Sequence, residues 1–384
     1  HYWDTPQRDL GYCEDIQFVS GDRLDGPVHS NDAMLIGGST LFTGAVTTSL
    51  PACRSTNGVP PVSTKCYRRI NGANPNFQKG IAYRSPVDMP DSIGDLRQYV
   101  DPARTTRPGC LYTGPTRIVL NAPNGGDATM TVWSRWSTSM LNPACGNPAA
   151  AWPNSVTVPV PDNNLIMVQD VPSTQTQPAS GPCPTGAIGD GYPVANDYVQ
   201  TEWDANCRFG TVLVEGTLRG RLTISADNNV VVTDDLTYAG GDNGPDVLGL
   251  IAENSVQIYH PVGRQCVYGW GDWCWSWSRT QEDLKGPDGS FNTSPKLNAA
   301  FLTLQHSFEV QAYDIGSPQG SLHLYGAIAQ RFRGIVGTSA GTGYLKDYHY
   351  DSRLRYAPPP YFLDPVRSGW GQKTFGEIAP RYGG

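Results

Sequence analysis

The chain is poor in charge. Lys, Arg, Asp and Glu make up 16% of its 384 residues, below the roughly one-quarter usual in globular proteins. The balance is negative, −7 at neutral pH, and the few basic residues are mostly Arg. This excludes a protein held on nucleic acid by a positive field, because displacing phosphate counterions requires one. Long apolar runs are missing too. Stretches such as Val230-Val231-Val232 fall far short of the roughly 20 residues that cross a bilayer as a helix. There is no initiator Met and no signal peptide, so the chain reads as a mature or trimmed product, with any membrane anchor upstream. Gly-x-Ser-x-Gly, a phosphate-binding Gly loop and His-Glu-x-x-His are all absent. No two cysteines have the Cys-x-x-Cys spacing of a zinc knuckle or redox site. No cofactor is implied, apart from a weak Ca²⁺ candidate described below.

Turn formers are plentiful: 43 Gly and 32 Pro, as expected of short strands joined by many corners. A short apolar–x–Gly–x–apolar element recurs. It appears as Leu24-Asp25-Gly26-Pro27-Val28 and, eighteen residues on, as Phe42-Thr43-Gly44-Ala45-Val46. It returns at Leu218–Leu222, Leu324–Ile328 and Phe332–Val336. Between these elements apolar residues alternate with period two: Leu222 and Ile224, Val230 and Val232, Leu236 and Tyr238, Leu248 and Leu250, Val256 and Ile258. After a gap follow Leu302 and Leu304, Phe308 and Val310, Leu322 and Leu324. Period two means strands. A sandwich or jelly roll would need more Asn-Gly-type hairpin turns than are present. A repeat of 18 to 26 residues is about one turn of a three-sided solenoid, whose layers stack about 4.8 Å apart. The expectation is an all-β chain: a right-handed parallel β-helix (solenoid) with long disulfide-tied loop insertions.

On this reading residues 1–50 form the first layers. Residues 51–207 are a loop-rich insertion with short strands near Arg117–Leu120, Met130–Trp133 and Leu165–Gln169 and a short helix near Ser92–Tyr99. Residues 208–343 are the main β-helix, with a Trp-rich insertion at 261–298. Residues 344–384 are an aromatic, Pro-rich tail that packs across the open end, where a bare layer would present a pairing edge. The nine cysteines sit mostly in Pro/Gly-rich stretches at irregular spacing, which fits disulfides in an oxidising compartment. Near-neighbour pairing is the cheapest guess: Cys53–Cys66, Cys110–Cys145, Cys183–Cys207 and Cys266–Cys274. Cys13 is left over, and is read as the partner of a missing upstream segment.

Three stretches carry a likeness to a known group. They are Asp15–Asp22 through His29-Ser30-Asn31-Asp32, then Gly210–Tyr238, then Tyr325–Gln330 through Arg353-Leu354-Arg355-Tyr356 and Pro359–Pro365. Together, over about half the chain, they resemble large exported proteins encoded with type IV pilus machinery in high-GC Gram-positive bacteria, similar to the PilX-type pilus-assembly group. The resemblance implies an upstream prepilin-like helix, which this chain lacks, followed by a β-rich body. It also implies a non-catalytic structural or adhesive role outside the cell. The implied partners are other pilus or surface subunits, a second copy of the chain, or a surface glycan, and no catalytic residues come with it.

Several groups are candidates for chemistry. Trp270, Trp273, Trp275 and Trp277 crowd eight residues pinned by the expected Cys266–Cys274 bridge. Flat rings stack on sugar faces or a partner's apolar patch; alternatively the segment folds down and caps the body. Asp234, Asp235, Asp242 and Asp246 flank Gly240-Gly241. Oxygen ligands in a turn suit Ca²⁺, although the spacing matches no known calcium loop and polar corner residues are the plainer reading. Asp227, Asp234 and Asp235 raise the rival reading of a polysaccharide-active β-helix enzyme, which needs two carboxyls some 5 to 9.5 Å apart. An N-terminal His1 can bind copper together with a second His, drawn from His29, His260, His306, His323 or His349, but none sits in a telling motif. His29, Asn31 and Asp32 read as a corner with a stacked Asn-type ladder.

Overall fold

Alternating apolar residues make short strands, and most of these strands lie beside their neighbours in the same direction. The computed structural model describes residues 16–56, 59, 62–70, 72–176, 183–198, 207–270, 273–338 and 340–363. Cys13 and His1 lie outside them. The described chain is all-β, with short 3₁₀ segments and one four-residue α-helix, Pro148–Ala151. Orientation is mixed. Three ladders are antiparallel: Thr116–Asn121 with Thr129–Trp133, Thr129–Trp133 with Val156–Pro159, and Val262–Trp270 with Trp273–Asp283. The other named ladders are parallel.

Parallel register turns the sequence alternation into columns. One column runs Leu120, Gly216, Leu236, Leu297, Leu324, Tyr348, Leu24, Phe42, Phe77. A second runs Ile118, Val214, Val232, Ile258, Val310. A third runs Ile166, Ile224, Leu250, Phe301, Ile328. Most of these side chains are buried, and Leu24, Phe77, Ile328 and Tyr348 are half-buried. Burying a Leu, Ile, Val or Phe contributes about 1.5–3 kcal/mol each, so the columns supply the main driving force.

The recurring Gly has a steric reason. Leu24 stacks on Phe42 and Val28 on Val46, eighteen residues apart. A Cβ on Gly44 would stand 1.7 Å from the Gly26 carbonyl oxygen, so only Gly lets the two corners nest.

Order along the stack differs from order along the chain. The main stack starts at Cys110–Thr113 and Thr116–Asn121, inside the stretch expected to be an insertion, and ends at Gly343–Tyr350. The N-terminal layers then continue it: Arg23–Asp25 pairs with Asp347–His349. A third N-terminal layer, Tyr67–Arg69, Asn76–Phe77 and Ile81–Tyr83, also falls within 51–207. At the junction the Lys346 ammonium donates to Asp22 Oδ2 at 3.0 Å, with both side chains buried. The Arg333 guanidinium lies over the Phe18 ring and donates to the Ile16 and Gln17 carbonyls.

The chain's return to the far end covers one outer face. The 3₁₀ helix Gly94–Tyr99 and the tail pack Ile93, Leu96 and Phe362 against Leu165, Met167, Ile251, Leu302 and Leu304. Leu302 and Leu304 therefore face outward, and Phe301 takes the core position. Val247–Ala252 is buried on both faces, as expected where both sides of a sheet are covered. Of the expected tail, 344–350 is instead the last strand of the main stack, and the part from Pro358 to Leu363 lies along this flank and not across an end. Arg221 Nη2 donates to the Pro358 carbonyl at 2.6 Å, and Tyr99 and Tyr361 have ring centroids 4.2 Å apart. A Cβ on Gly249 would come within 2.5 Å of the Phe362 ring, so Gly lets the tail lie flat.

All four expected disulfides are present: Cys53–Cys66, Cys110–Cys145, Cys183–Cys207 and Cys266–Cys274. They imply an oxidising compartment. Among the described residues no helix is long and apolar enough to cross a membrane.

Candidate binding site: an aromatic ribbon and the cavity at its foot

The Trp-rich segment is neither a loop nor a cap. Val262–Trp270 and Trp273–Asp283 form a two-stranded ribbon of their own. Its first residues, Val262 and Gly263, are buried, and Arg264 through Trp270 are exposed. The foot is fastened by polar contacts. Buried His260 bonds the Gln311 carbonyl at 3.1 Å and Asp283 Oδ1 at 3.0 Å. The Arg279 guanidinium donates two bonds to Asp314, at 2.7 and 3.2 Å. Nearer the tip, Cys266–Cys274 ties the two strands together.

Aromatic surface is presented on this frame. Trp270 is 84% exposed, Tyr268 69%, Trp275 63% and Trp277 42%. The Tyr268 and Trp275 rings are 5.5 Å apart, and the Arg264 guanidinium sits 4.5 Å over Trp277. The fourth tryptophan, Trp273, pairs with Trp270 across the turn; its side chain is outside the described ones. Two residues separate this pair. In retrospect, Trp273-x-Trp275-x-Trp277 is a period-two signal.

At the ribbon's foot lies a cavity of about 230 Å³, walled by Pro261 and Gly286–Asn292 on either side of the ribbon in sequence. Its floor is built from two charged residues on neighbouring strands. Arg117 pairs with Leu213, and Glu215 lies two residues further along, a diagonal neighbour. The guanidinium is buried and lies 4.3 Å over the Tyr192 ring. It donates to Glu215 Oε1 at 2.9 Å, Thr233 Oγ1 at 3.1 Å and Asp190 Oδ2 at 3.5 Å. The Thr233 hydroxyl in turn donates to Glu215 Oε2 at 2.7 Å. Burial, the larger effect, pushes the Tyr192 phenol up to about 12, with Arg117 opposing it. Sequence reading missed Arg117, Glu215, Asp190 and Thr233. For Arg117 and Glu215 the available signal was a charge at the edge of an apolar run, 118–120 and 212–214.

The predicted acidic set does not assemble. Asn292 Nδ2 donates to Asp234 Oδ1 and Asp235 Oδ1, at 2.7 Å each. Asp242 accepts from Asn298 at 2.9 Å. Asp246 is buried and accepts from the Gly220 and Gly240 amides, both at 2.7 Å, so it closes a corner. Among the described residues no three acidic, His or Cys side chains gather to hold a metal ion.

Asp227 has a different set of neighbours from Asp234 and Asp235. It accepts from Arg97 at 2.7 Å and from the Asp170 amide. Burial, the largest effect, raises its pKa. His29 bonds Thr47 and Asn31, and Asn31 clamps the backbone of Val87 in place of stacking on another Asn. The Asn contacts between layers occur instead where Asn254 donates to Asn228 and Asn229. No family model matches this chain, and no curated protein or solved structure shows significant similarity to it.

Proposed function

We propose that this chain is a non-catalytic adhesive component of the cell surface, in which a right-handed parallel β-helix holds out an aromatic ribbon that stacks on neutral glycan. The observation that carries the reading is the exposure of Trp270, Trp275 and Tyr268 on a ribbon anchored at its foot and pinned by a disulfide. Leaving such rings in water forfeits the burial that elsewhere stabilises the fold, and a fixed frame spares a ligand the cost of ordering them. The ribbon is too narrow to supply the roughly 800 Å² per partner of a stable protein interface on its own, which favours sugar faces over a subunit. The net charge of −7 disfavours anionic polymers.

The parallel columns support the β-helix, with register offsets of eighteen residues at Val212 over Val230 and at Leu24 over Phe42. The pilus setting, with other subunits or a second copy as neighbours and an anchor upstream, rests on the sequence resemblance. A glycan array paired with a reducing-sugar release assay tests the reading. Binding without release is expected, reduced at least tenfold by Trp270→Ala with Trp275→Ala. Equal binding by that variant sinks the ribbon's role. Sugar release that Asp235→Asn abolishes would make the chain a polysaccharide-active enzyme.

A further inference from the structure

We infer that the cavity at the ribbon's foot is a second, separate sugar site, which seats one neutral sugar ring with its hydroxyls on Glu215, Asp234 and Asp190. The inference deepens the glycan reading and rests on it for the ligand class. At about 230 Å³ the cavity is smaller than the roughly 300–1,000 Å³ pockets that take drug-sized ligands, so it suits one ring and not a chain. Its lining combines the half-buried Phe291 ring with convergent polar groups, over a buried Tyr192 whose ring carries Arg117.

Those groups are mainly acceptors. Four carboxylates, Asp190, Glu215, Asp234 and Asp288, line the cavity with one cation, Arg117. Both Arg117 Nη groups are already committed to Glu215, Thr233 and Asp190, and its buried Nε is the one donor left on it. An anionic ligand is therefore repelled, and a ligand that brings donors is favoured. Acceptor capacity remains: each carboxylate oxygen can take two bonds, and the hydrogen bonds found on Asp234 both fall on Oδ1. Sugar hydroxyls supply such donors while their ring carbons cover an aromatic face.

Floor rigidity argues the same way. The Glu215 carboxylate is held by Arg117 and Thr233 on two strands of the stack, so it is oriented before any ligand arrives, the arrangement a binding site needs. The ribbon's tip is far off. Nine residues of extended strand separate the cavity's edge at Pro261 from Trp270, about 30 Å at ~3.3 Å per residue. One ring cannot touch both.

Saturation-transfer NMR with free glucose, galactose, mannose, N-acetylglucosamine, arabinose and rhamnose at millimolar concentration tests the site. Transfer to at least one sugar is expected, reduced at least fivefold by Asp234→Asn and by Glu215→Gln, and retained in the Trp270→Ala, Trp275→Ala variant. Circular dichroism checks each fold, and near-isosteric Asp234→Asn stands alone if Glu215→Gln unfolds. No transfer to any sugar overturns the site. So does transfer that Asp234→Asn leaves unchanged. Transfer lost only in the ribbon variant overturns the site while upholding the ribbon. Transfer lost only in the cavity variants, with no ribbon-dependent array binding, upholds the site and refutes the ribbon.

Discussion

The column from Leu120 to Phe77 and the ribbon from Val262 to Asp283 are both built by period-two alternation, yet they use it oppositely. In the column, parallel register places aliphatic and aromatic residues from distant layers one above another, most of them buried. In the ribbon, antiparallel register with several bulges leaves the rings facing water. One region is ordered by burial. The other is held at its foot by the His260–Asp283 hydrogen bond and the Arg279–Asp314 ion pair, and by one disulfide. Alternation therefore specifies strands, while what lies over a strand decides whether its apolar face is core or display.

The sharpest way to break this comparison is to hollow a column. Phe301 is buried and meets Phe308 edge-on at 5.1 Å. Phe301→Ala should cost about 3–5 kcal/mol, read as a lower midpoint in urea unfolding. A loss under about 1 kcal/mol would mean the columns do not carry the fold.

A second, smaller effect probes the seam where the N-terminal layers meet the main stack. Burial lowers the Lys346 pKa from 10.5 to about 8; Asp22 opposes the shift and Arg333 adds to it. Between about pH 8 and 10.5 the unfolded chain binds the proton that the folded chain has released. Stability from this group therefore rises with pH across that window and is flat below it. Wild type minus Lys346→Met, followed by thermal melts, should drift toward wild type at up to about 1.4 kcal/mol per pH unit. A difference that stays constant from pH 8 to 10.5 would show that the ammonium is not buried at the seam.

These two regions also show how far the sequence could be read. The four disulfides were legible because each joins near neighbours along the chain. The Leu24-over-Phe42 stacking was legible because no insertion interrupts that eighteen-residue step. The docking of Arg23–Asp25 on Asp347–His349 was not, since no local pattern links residues more than 300 apart in sequence. Leu302 and Leu304 looked like core because periodicity cannot tell an inner face from an outer one covered by Gly94–Tyr99. Arg117 and Glu215 were passed over for the same reason: they meet only when Thr116–Asn121 and Val212–Leu218 become neighbours.

Cutting the ribbon's bridge gives a local effect. Cys266→Ser with Cys274→Ser should leave urea unfolding of the body within about 0.5 kcal/mol, because Arg264 through Trp270 are exposed. The same variant should speed proteolysis between Arg264 and Arg279 several-fold, since local openings govern cleavage. A large drop in body stability would show that the ribbon is structural.

The smallest effect on the fold, and the most telling one, is expected from Trp270→Ala. At a buried position a Trp truncation costs about 3–5 kcal/mol. At 84% exposure there is no packing to lose, and the melting curve should match wild type within about 0.5 kcal/mol. Glycan binding should nevertheless fall, because the ring's face is what a sugar would cover. A Trp that is dispensable to the fold but needed for the ligand separates display from core on a single side chain. If melting and binding both stay at wild-type values, the ring has no part in either, and the contrast between column and ribbon reduces to accessibility alone.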